Sequence, residues 1–357
     1  MGAAVAFGAA GGCPIMGGMA LATLGVGLEI AGTGCAVPQR VVTNSDLESL
    51  METSDEWIRQ RTGIEQRYMA DRENGETPLD LARMALLDAL EDAGAPADSL
   101  DLVIVATMSQ ETICPPTACR LIEQVGGKHA GGFDLVGACS GYVFGVNTLA
   151  GLMKTGPYRT AALVGVDVLT RFCKFDTQGR STSVLFGDAA AATVFRRTDD
   201  TTKGPIAQSM HTDGSRWSDL AIPMTDVGSA ELETTVGEPT RLNTVHMNGR
   251  GVFKFAVSTF SQVIEETLEK AGLASSDVAH YVCHQSNARI LASARDRFGM
   301  REEQLHINVN RYANTVGASV PLVLNDLRRA GKLEAGQKIM FVAFGAGLTW
   351  GTSLWQI

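Results

Sequence analysis

The stretch FDLVGACSGYVFG, residues 133–145, sets one thiol among small neighbours. A hydrophobic run stops at Gly137, Ala138, Cys139, Ser140 and Gly141, and an apolar pattern resumes at Tyr142. A cysteine at the first turn of a helix feels the partial positive charge of the N-terminus, which favours thiolate over thiol. The flanking glycines permit a strained turn and the close approach of a bulky acyl group. The backbone N–H of Cys139 can then stabilise the oxyanion formed when the thiolate attacks a thioester. That chemistry is nucleophilic acyl transfer. Its competitor is a small buried hydrophobe, which most cysteines are.

Two polar residues far along the chain could join it. His284 opens HQSN, a polar cluster directly after a strand-like apolar run, and Asn314 stands in RYANTVGASVPLVL where such a run gives way to a helix. Alone, each is weak: a lone histidine is usually structural, and Asn-Thr commonly caps a helix. The Gly-rich turn AFGAGLTWG, residues 343–351, lacks the lysine and spacing of a nucleotide loop, so a turn offering a backbone N–H to an oxyanion fits it better. HYVCH, with His280, Cys283 and His284, suggests metal ligation at first sight. A strand there points alternate side chains to opposite faces, so no metal site is expected.

Alternating strands and helices must position these groups, which makes the fold α/β and layered. Strand-like runs occur at 28–34, 100–107, 160–169 and 337–347, with amphipathic helices at 78–94 and 260–272 between them. Residues 223–244 are polar and aperiodic and read as a long loop. The chain also repeats itself. LEDAGAPADSLDLVIVAT is answered by LEKAGLASSDVAHYVCHQ at an offset of 271 − 93 = 178, and LMKTG by LRRAG at 331 − 156 = 175. Two copies of one α/β unit follow, 28–198 and 199–357, after a Gly/Ala-rich extension at 1–27. The shorter offset carries Cys139 onto Asn314, which would face it across a pseudo-twofold axis.

The bulk numbers agree with an enzyme-sized core. Hydrophobic residues make up 45% and charged residues 19% of 357, and the formal charge of −9 excludes a generic nucleic-acid binder. Seven cysteines without a CxxC pair read as reduced thiols in a cytoplasmic protein. The uncharged start lacks the basic region of a secretory signal, and its many glycines weaken it as a membrane span.

Six motifs in one order carry a resemblance over residues 28–357: TSDEWIRQRTGI (53–64), GACSG (137–141), LFGDAAAA (185–192), HQSNARI (284–290), ANTVGASVP (313–321) and AFGAGLTWG. Together they resemble β-ketoacyl-[acyl-carrier-protein] synthase III, the initiating condensing enzyme of type II fatty acid synthesis. The resemblance implies a thiolase-like, five-layered αβαβα fold of two pseudo-symmetric halves, usually as a homodimer. It implies that Cys139 takes an acyl group from acyl-CoA, while His284 and Asn314 stabilise the enolate formed when malonyl-acyl-carrier protein loses CO2. Neither metal nor cofactor is implied, the CoA thioester being substrate. It further implies CoA contacts at Thr53, Trp57, Arg61 and Arg180, an acyl-pocket cap at Cys114 reaching across the dimer, and carrier-protein docking at Lys254, Arg289, Arg295 and Arg297. Helical spacing independently puts Trp57 and Arg61 on one side.

The same residues separate the relatives. A thiolase would carry a second cysteine in the last Gly-rich turn, elongating ketosynthases a second histidine in place of Asn314, plant-type polyketide synthases a GFGPG loop, and hydroxymethylglutaryl-CoA synthase a glutamate near the cysteine. Two departures stand out: Ala346 replaces a usual glycine, leaving less freedom in φ, and LFGDAAAA carries alanines for glycines. An acyltransferase passing an acyl group to an oxygen or nitrogen nucleophile in secondary metabolism is the alternative activity. A non-catalytic scaffold is the third, and the Cys-His-Asn set argues against it.

Overall fold

The computed structural model describes residues 26–357; residues 1–25, and with them most of the expected N-terminal extension, lie outside the described residues. Gly27–Ala36 forms the first strand of a five-stranded sheet, followed in spatial order by Ala189–Thr198, Thr160–Asp167, Leu102–Ala106 and Gly131–Leu135. The strand Leu102–Ala106 runs parallel to both its neighbours, and the other pairings are antiparallel. The second sheet repeats the order with Gly204–Thr212, Thr349–Gln356, Lys338–Gly345 and His280–Cys283. At its fifth place a single parallel bridge joins Leu305 to Tyr281.

The two halves superimpose in sequence at one offset. Leu102–Ala106 matches His280–Cys283 at 280 − 102 = 178, and Thr160–Asp167 matches Lys338–Gly345 at 338 − 160 = 178. The short 3-10 turns Ala138–Ser140 and Val316–Ala318 obey it too, as do the helices they feed, Gly141–Thr155 and Ser319–Arg329. Cys139 therefore corresponds to Gly317. The expectation that it corresponds to Asn314 is corrected: the LMKTG and LRRAG match spans connections of different length, so its offset of 175 misaligns the turns by three residues.

Burial explains the layers. The helices Gly141–Thr155 and Ser319–Arg329 lie between the sheets in one apolar cluster with Ile104, Leu163, Phe341 and Trp355. Pro78–Asp92 and Thr117–Val125 cover the outer face of the first sheet through Leu86, Leu90 and Leu121. Gly249–Ala271 and Ala288–Phe298 cover the second through Phe260, Ile264 and Leu291. Five layers result, αβαβα. Every residue of Thr160–Asp167 is buried, as expected of a strand covered on both faces.

Two sequence expectations change. The stretch 223–244 holds a helix, Ser229–Val236, bounded by left-handed Gly228 and Gly237. Only Leu232 of it is buried, so no apolar period betrays it. The helix expected at 260–272 starts at Gly249, where Asn248 accepts the Gly251 N–H as its cap. Two glycines in its first turn hide that start from a propensity reading.

Candidate active site

Cys139 occupies the 3-10 turn that leads into Gly141–Thr155. Ala138 before it has φ of 47°, a left-handed conformation costly for a residue with a Cβ and typical of strained functional turns. The end of the strand Lys338–Gly345 passes over this turn. A Cβ on Gly345 would lie 2.9 Å from both the nitrogen and the Cβ of Cys139, so only glycine fits there.

His284 follows the strand His280–Cys283 and is tied down from both sides. Its N–H donates to the Val342 carbonyl at 2.8 Å, and the next N–H, of Gln285, donates to Ser319 Oγ at 2.7 Å. Gln285 is buried and holds four backbone groups: it donates to the Cys283 and His306 carbonyls and accepts from the N–H groups of Asn308 and Val309. It is a positioning group that the HQSN motif contained but did not announce. The His284 ring meets Phe344 edge-on at 5.5 Å, and its Nδ1 is buried without a partner. Burial pushes the imidazole down to about 3, so it is neutral at physiological pH.

Asn314 comes from a third segment. Its N–H donates to the Leu185 carbonyl at 2.9 Å, and its carbonyl accepts from Gly187 at 3.1 Å. Its side-chain Oδ1 accepts the Val316 N–H at 3.0 Å, which fixes the amide and leaves Nδ2 to donate elsewhere. Ala313 and Val316 on either side have φ of 59° and 51°. A β-branched residue held there marks a turn enforced by its surroundings.

Two cavities meet at Cys139. One, of about 100 Å³, is lined by Cys139, His284, Asn314, Ser286, Phe253 and Phe344 among others. The other, of about 120 Å³, is apolar, with Met108, Leu169, Ile222, Val245, Val316 and Ala346 around the same thiol. Cys139, His284 and Asn314 thus converge as the sequence suggested. The thiol itself behaves otherwise: burial, with the Asp167 carboxylate adding to it, pushes it up to about 12 against a smaller pull from its own backbone N–H. The helix start expected to favour the thiolate is outweighed by desolvation, and the resting pair is a neutral thiol beside a neutral imidazole.

The backbone at Ala346 is not left-handed; the positive φ, 139°, falls on Gly347. The Cβ at 346 therefore carries no strain of the kind expected, and it faces the apolar cavity. Arg61 and Arg180 lie over the Trp57 ring at 4.5 Å and 5.0 Å, and Thr53 Oγ1 is buried without a partner among the described residues. Cys114 is exposed and lines neither cavity of its own chain, so a capping role would need a second copy. Of the expected dock, Lys254 and Arg289 are exposed, with Arg289 5.5 Å above Phe253 of the first cavity. Arg250, exposed one helical turn before Lys254, joins them and was missed because the helix was expected to start only at 260. Arg295 instead lines a separate polar cavity with Glu302 and Glu303, and Arg297 pairs with Glu265 at 3.0 Å.

A cysteine from one half of a duplicated five-layered body, meeting a histidine and an asparagine from the other, is the arrangement expected of a condensing enzyme on a thiolase-like fold. Family models agree: residues 133–214 match 3-oxoacyl-[acyl-carrier-protein] synthase III and residues 268–357 its C-terminal part. β-Ketoacyl-[acyl-carrier-protein] synthase III of Clostridium acetobutylicum is 40% identical over 325 residues, 91% of this chain and 97% of that one. The 3-oxoacyl-[acyl-carrier-protein] synthase III of Aquifex aeolicus superimposes with a TM-score of 0.83 at 33% identity, over 93% of this chain and 100% of that one. The priming β-ketosynthase of the R1128 polyketide pathway gives 0.83 at 32%, over 92% and 96%. The chain belongs to the β-ketoacyl-[acyl-carrier-protein] synthase III family of condensing enzymes.

Proposed function

We propose that the protein joins an acyl-CoA primer to malonyl-acyl-carrier protein by decarboxylative Claisen condensation, releasing CoA and CO2 and starting a fatty acid chain. The observation that carries this reading is the meeting of Cys139, His284 and the Oδ1-anchored Asn314 around one cavity. In the first half-reaction the Cys139 sulfur bonds to the acyl carbonyl carbon and the CoA thiolate leaves, taking up the thiol proton. The tetrahedral oxyanion accepts the backbone N–H groups of Cys139 and Ala346. The acyl chain lies in the apolar cavity.

In the second half-reaction the malonyl thioester oxygen accepts hydrogen bonds from neutral His284 and from Asn314 Nδ2. The carbon–carbon bond to the carboxylate breaks, CO2 leaves, and its electron pair forms the enolate. The enolate carbon then attacks the acyl-cysteine and expels the Cys139 thiolate, which takes a proton from solvent and returns to the thiol. An imidazole kept neutral by burial is suited to donating to an enolate without first losing a proton. Loss of CO2 drives the condensation, so the scheme calls for no metal or redox cofactor. Retention of Asn314 favours it over plain acyl transfer to oxygen or nitrogen, which needs no enolate stabilisation.

CoA's adenine is assigned to Trp57 with Arg61 and Arg180, and the acidic carrier protein to Arg250, Lys254 and Arg289 near the cavity mouth. A homodimer is supported by the strand Gly131–Leu135, which among the described residues is paired on one side only, and by exposed Phe133, Val136 and Ile113. No helix among the described residues is long and apolar enough to cross a membrane, and the cytoplasm is the proposed place of action. Incubation with acetyl-CoA and malonyl-carrier protein tests the activity: CO2 and a β-ketoacyl-carrier are expected. Acyl transfer without CO2 would overturn the assignment.

A further inference from the structure

Arg67 is fully buried, and among the described residues no carboxylate lies within ion-pair distance of it. Its guanidinium donates instead to oxygens without full charge: the Val184 carbonyl at 2.8 Å, Asn44 Oδ1 at 2.8 Å and the Val42 carbonyl at 3.4 Å. Its Nε has no partner. Burying a cation without a counter-charge costs several kcal/mol, so a hydrophobe of similar size would make the sturdier core. The site keeps a forked donor nonetheless.

What the fork holds is the segment leading to Asn314. Val184 is followed by Leu185, whose carbonyl accepts the Asn314 N–H, and by Gly187, whose N–H donates to the Asn314 carbonyl. The catalytic amide thus hangs on residues 185 and 187, and Arg67 pins residue 184. Gly187 fills the gap between the two sides: a Cβ there would lie 2.5 Å from the Tyr312 carbonyl oxygen and 3.0 Å from the Arg67 Cβ. On its far side Arg67 grips Asn44, whose Nδ2 donates to Asp55 Oδ1 at 2.9 Å. Asp55 begins the helix Asp55–Thr62 that carries Trp57 and Arg61.

We propose that Arg67 is a positioning residue for Asn314: its buried guanidinium holds the Val184–Gly187 segment in the place from which that segment's backbone aims the Asn314 amide into the cavity beside Cys139. A lysine can donate to one or two of these oxygens but lacks the planar fork that reaches all three. Small misplacement of the amide then weakens enolate stabilisation more than acylation, because the thiol stands on a different segment and meets this one only through the apolar Leu185 and Phe186 side chains. The proposal rests on the condensing-enzyme reading.

The test separates the half-reactions in Arg67→Lys and Gly187→Ala. Acylation of Cys139 by acyl-CoA is read by intact mass, and CO2 release from malonyl-carrier by steady-state kinetics. Both variants should lower kcat for CO2 release about 10- to 100-fold. Their KM for malonyl-carrier should stay near the wild type, and their acylation rate should fall far less than CO2 release. If one variant does not fold, the other decides, since they disturb the same segment at different points, Val184 and Gly187. Half-reactions that fall in step, or do not fall, overturn the positioning role. A wild type that acylates but releases no CO2 overturns the condensing-enzyme reading itself.

Discussion

The same strained turn occurs twice in this molecule and holds a thiol once. In the first half Ala138, with φ of 47°, precedes Cys139; in the second Val316, with φ of 51°, precedes Gly317. Each turn is crossed by the end of a strand from the opposite half. Gly345 crosses over Cys139, and its structural counterpart Asp167, 345 − 167 = 178 residues earlier, crosses over Gly317. The Asp167 carboxylate accepts the Gly317 N–H at 2.9 Å and the Met108 N–H at 2.7 Å. One turn therefore has its N–H claimed by a protein carboxylate, while over the other a glycine keeps the space clear. The strained backbone belongs to the duplicated fold. Activity depends on what the crossing strand brings to it.

Gly345→Ala should break this difference most severely. The added methyl intrudes on the Cys139 nitrogen, and blocking one oxyanion donor typically costs about 100- to 1000-fold in rate. Both half-reactions should fall together, as measured by acyl-enzyme formation and CO2 release. A fully active variant would show that the cleared space is not needed.

Asp167→Ala should act on stability more than on chemistry. It leaves two buried N–H groups unpaired, at about 1–3 kcal/mol each. The denaturation midpoint should drop while the folded fraction still acylates Cys139; an unchanged midpoint would show that the carboxylate is no clamp. Asp167 also predicts a pH dependence. Burial raises it from 3.8 in the unfolded chain to about 7, against the pull of the N–H groups it accepts. The folded state then holds a proton that the unfolded state has lost. That contribution to stability is complete below about pH 4 and gone above about pH 7. Asp167→Asn should remove this decline between pH 4 and 7, and an identical slope in the two proteins would refute it.

Ala346→Gly should change least. The residue has no left-handed φ to relieve, so glycine adds only chain entropy in the unfolded state, at about 0.5–1 kcal/mol. Condensation should stay within about twofold for a short primer. A large gain in rate would mean that the alanine strains the turn after all.

How much of this was legible in the sequence depends on where each residue finds its partners. Cys139, His284 and Asn314 sit in compact motifs whose small and polar neighbours are contiguous, so their convergence was readable from the resemblance, whereas the repeat reached Asn314 through a misaligned offset. The equivalence of Cys139 with Gly317 was not, because it turns on a three-residue difference in connection length. Asp167, Gln285 and Arg67 act on backbone groups of remote segments, and nothing in their own neighbourhoods announces that. The direction of the Cys139 shift was missed for a related reason: a helix start is local and visible, whereas desolvation comes from Phe186, Leu169 and Val316 closing around the thiol.

The central claim is that the two halves divide the reaction, with acyl transfer on Cys139 and enolate formation on His284 and Asn314. Asn314→Ala tests it most directly, with intact-mass measurement of the acyl-enzyme and CO2 release followed on the same preparation. One acyl group should form on Cys139 at close to the wild-type rate, with CO2 release lowered about 100-fold or more. Decarboxylation at the wild-type rate, or loss of acylation in equal measure, would contradict it.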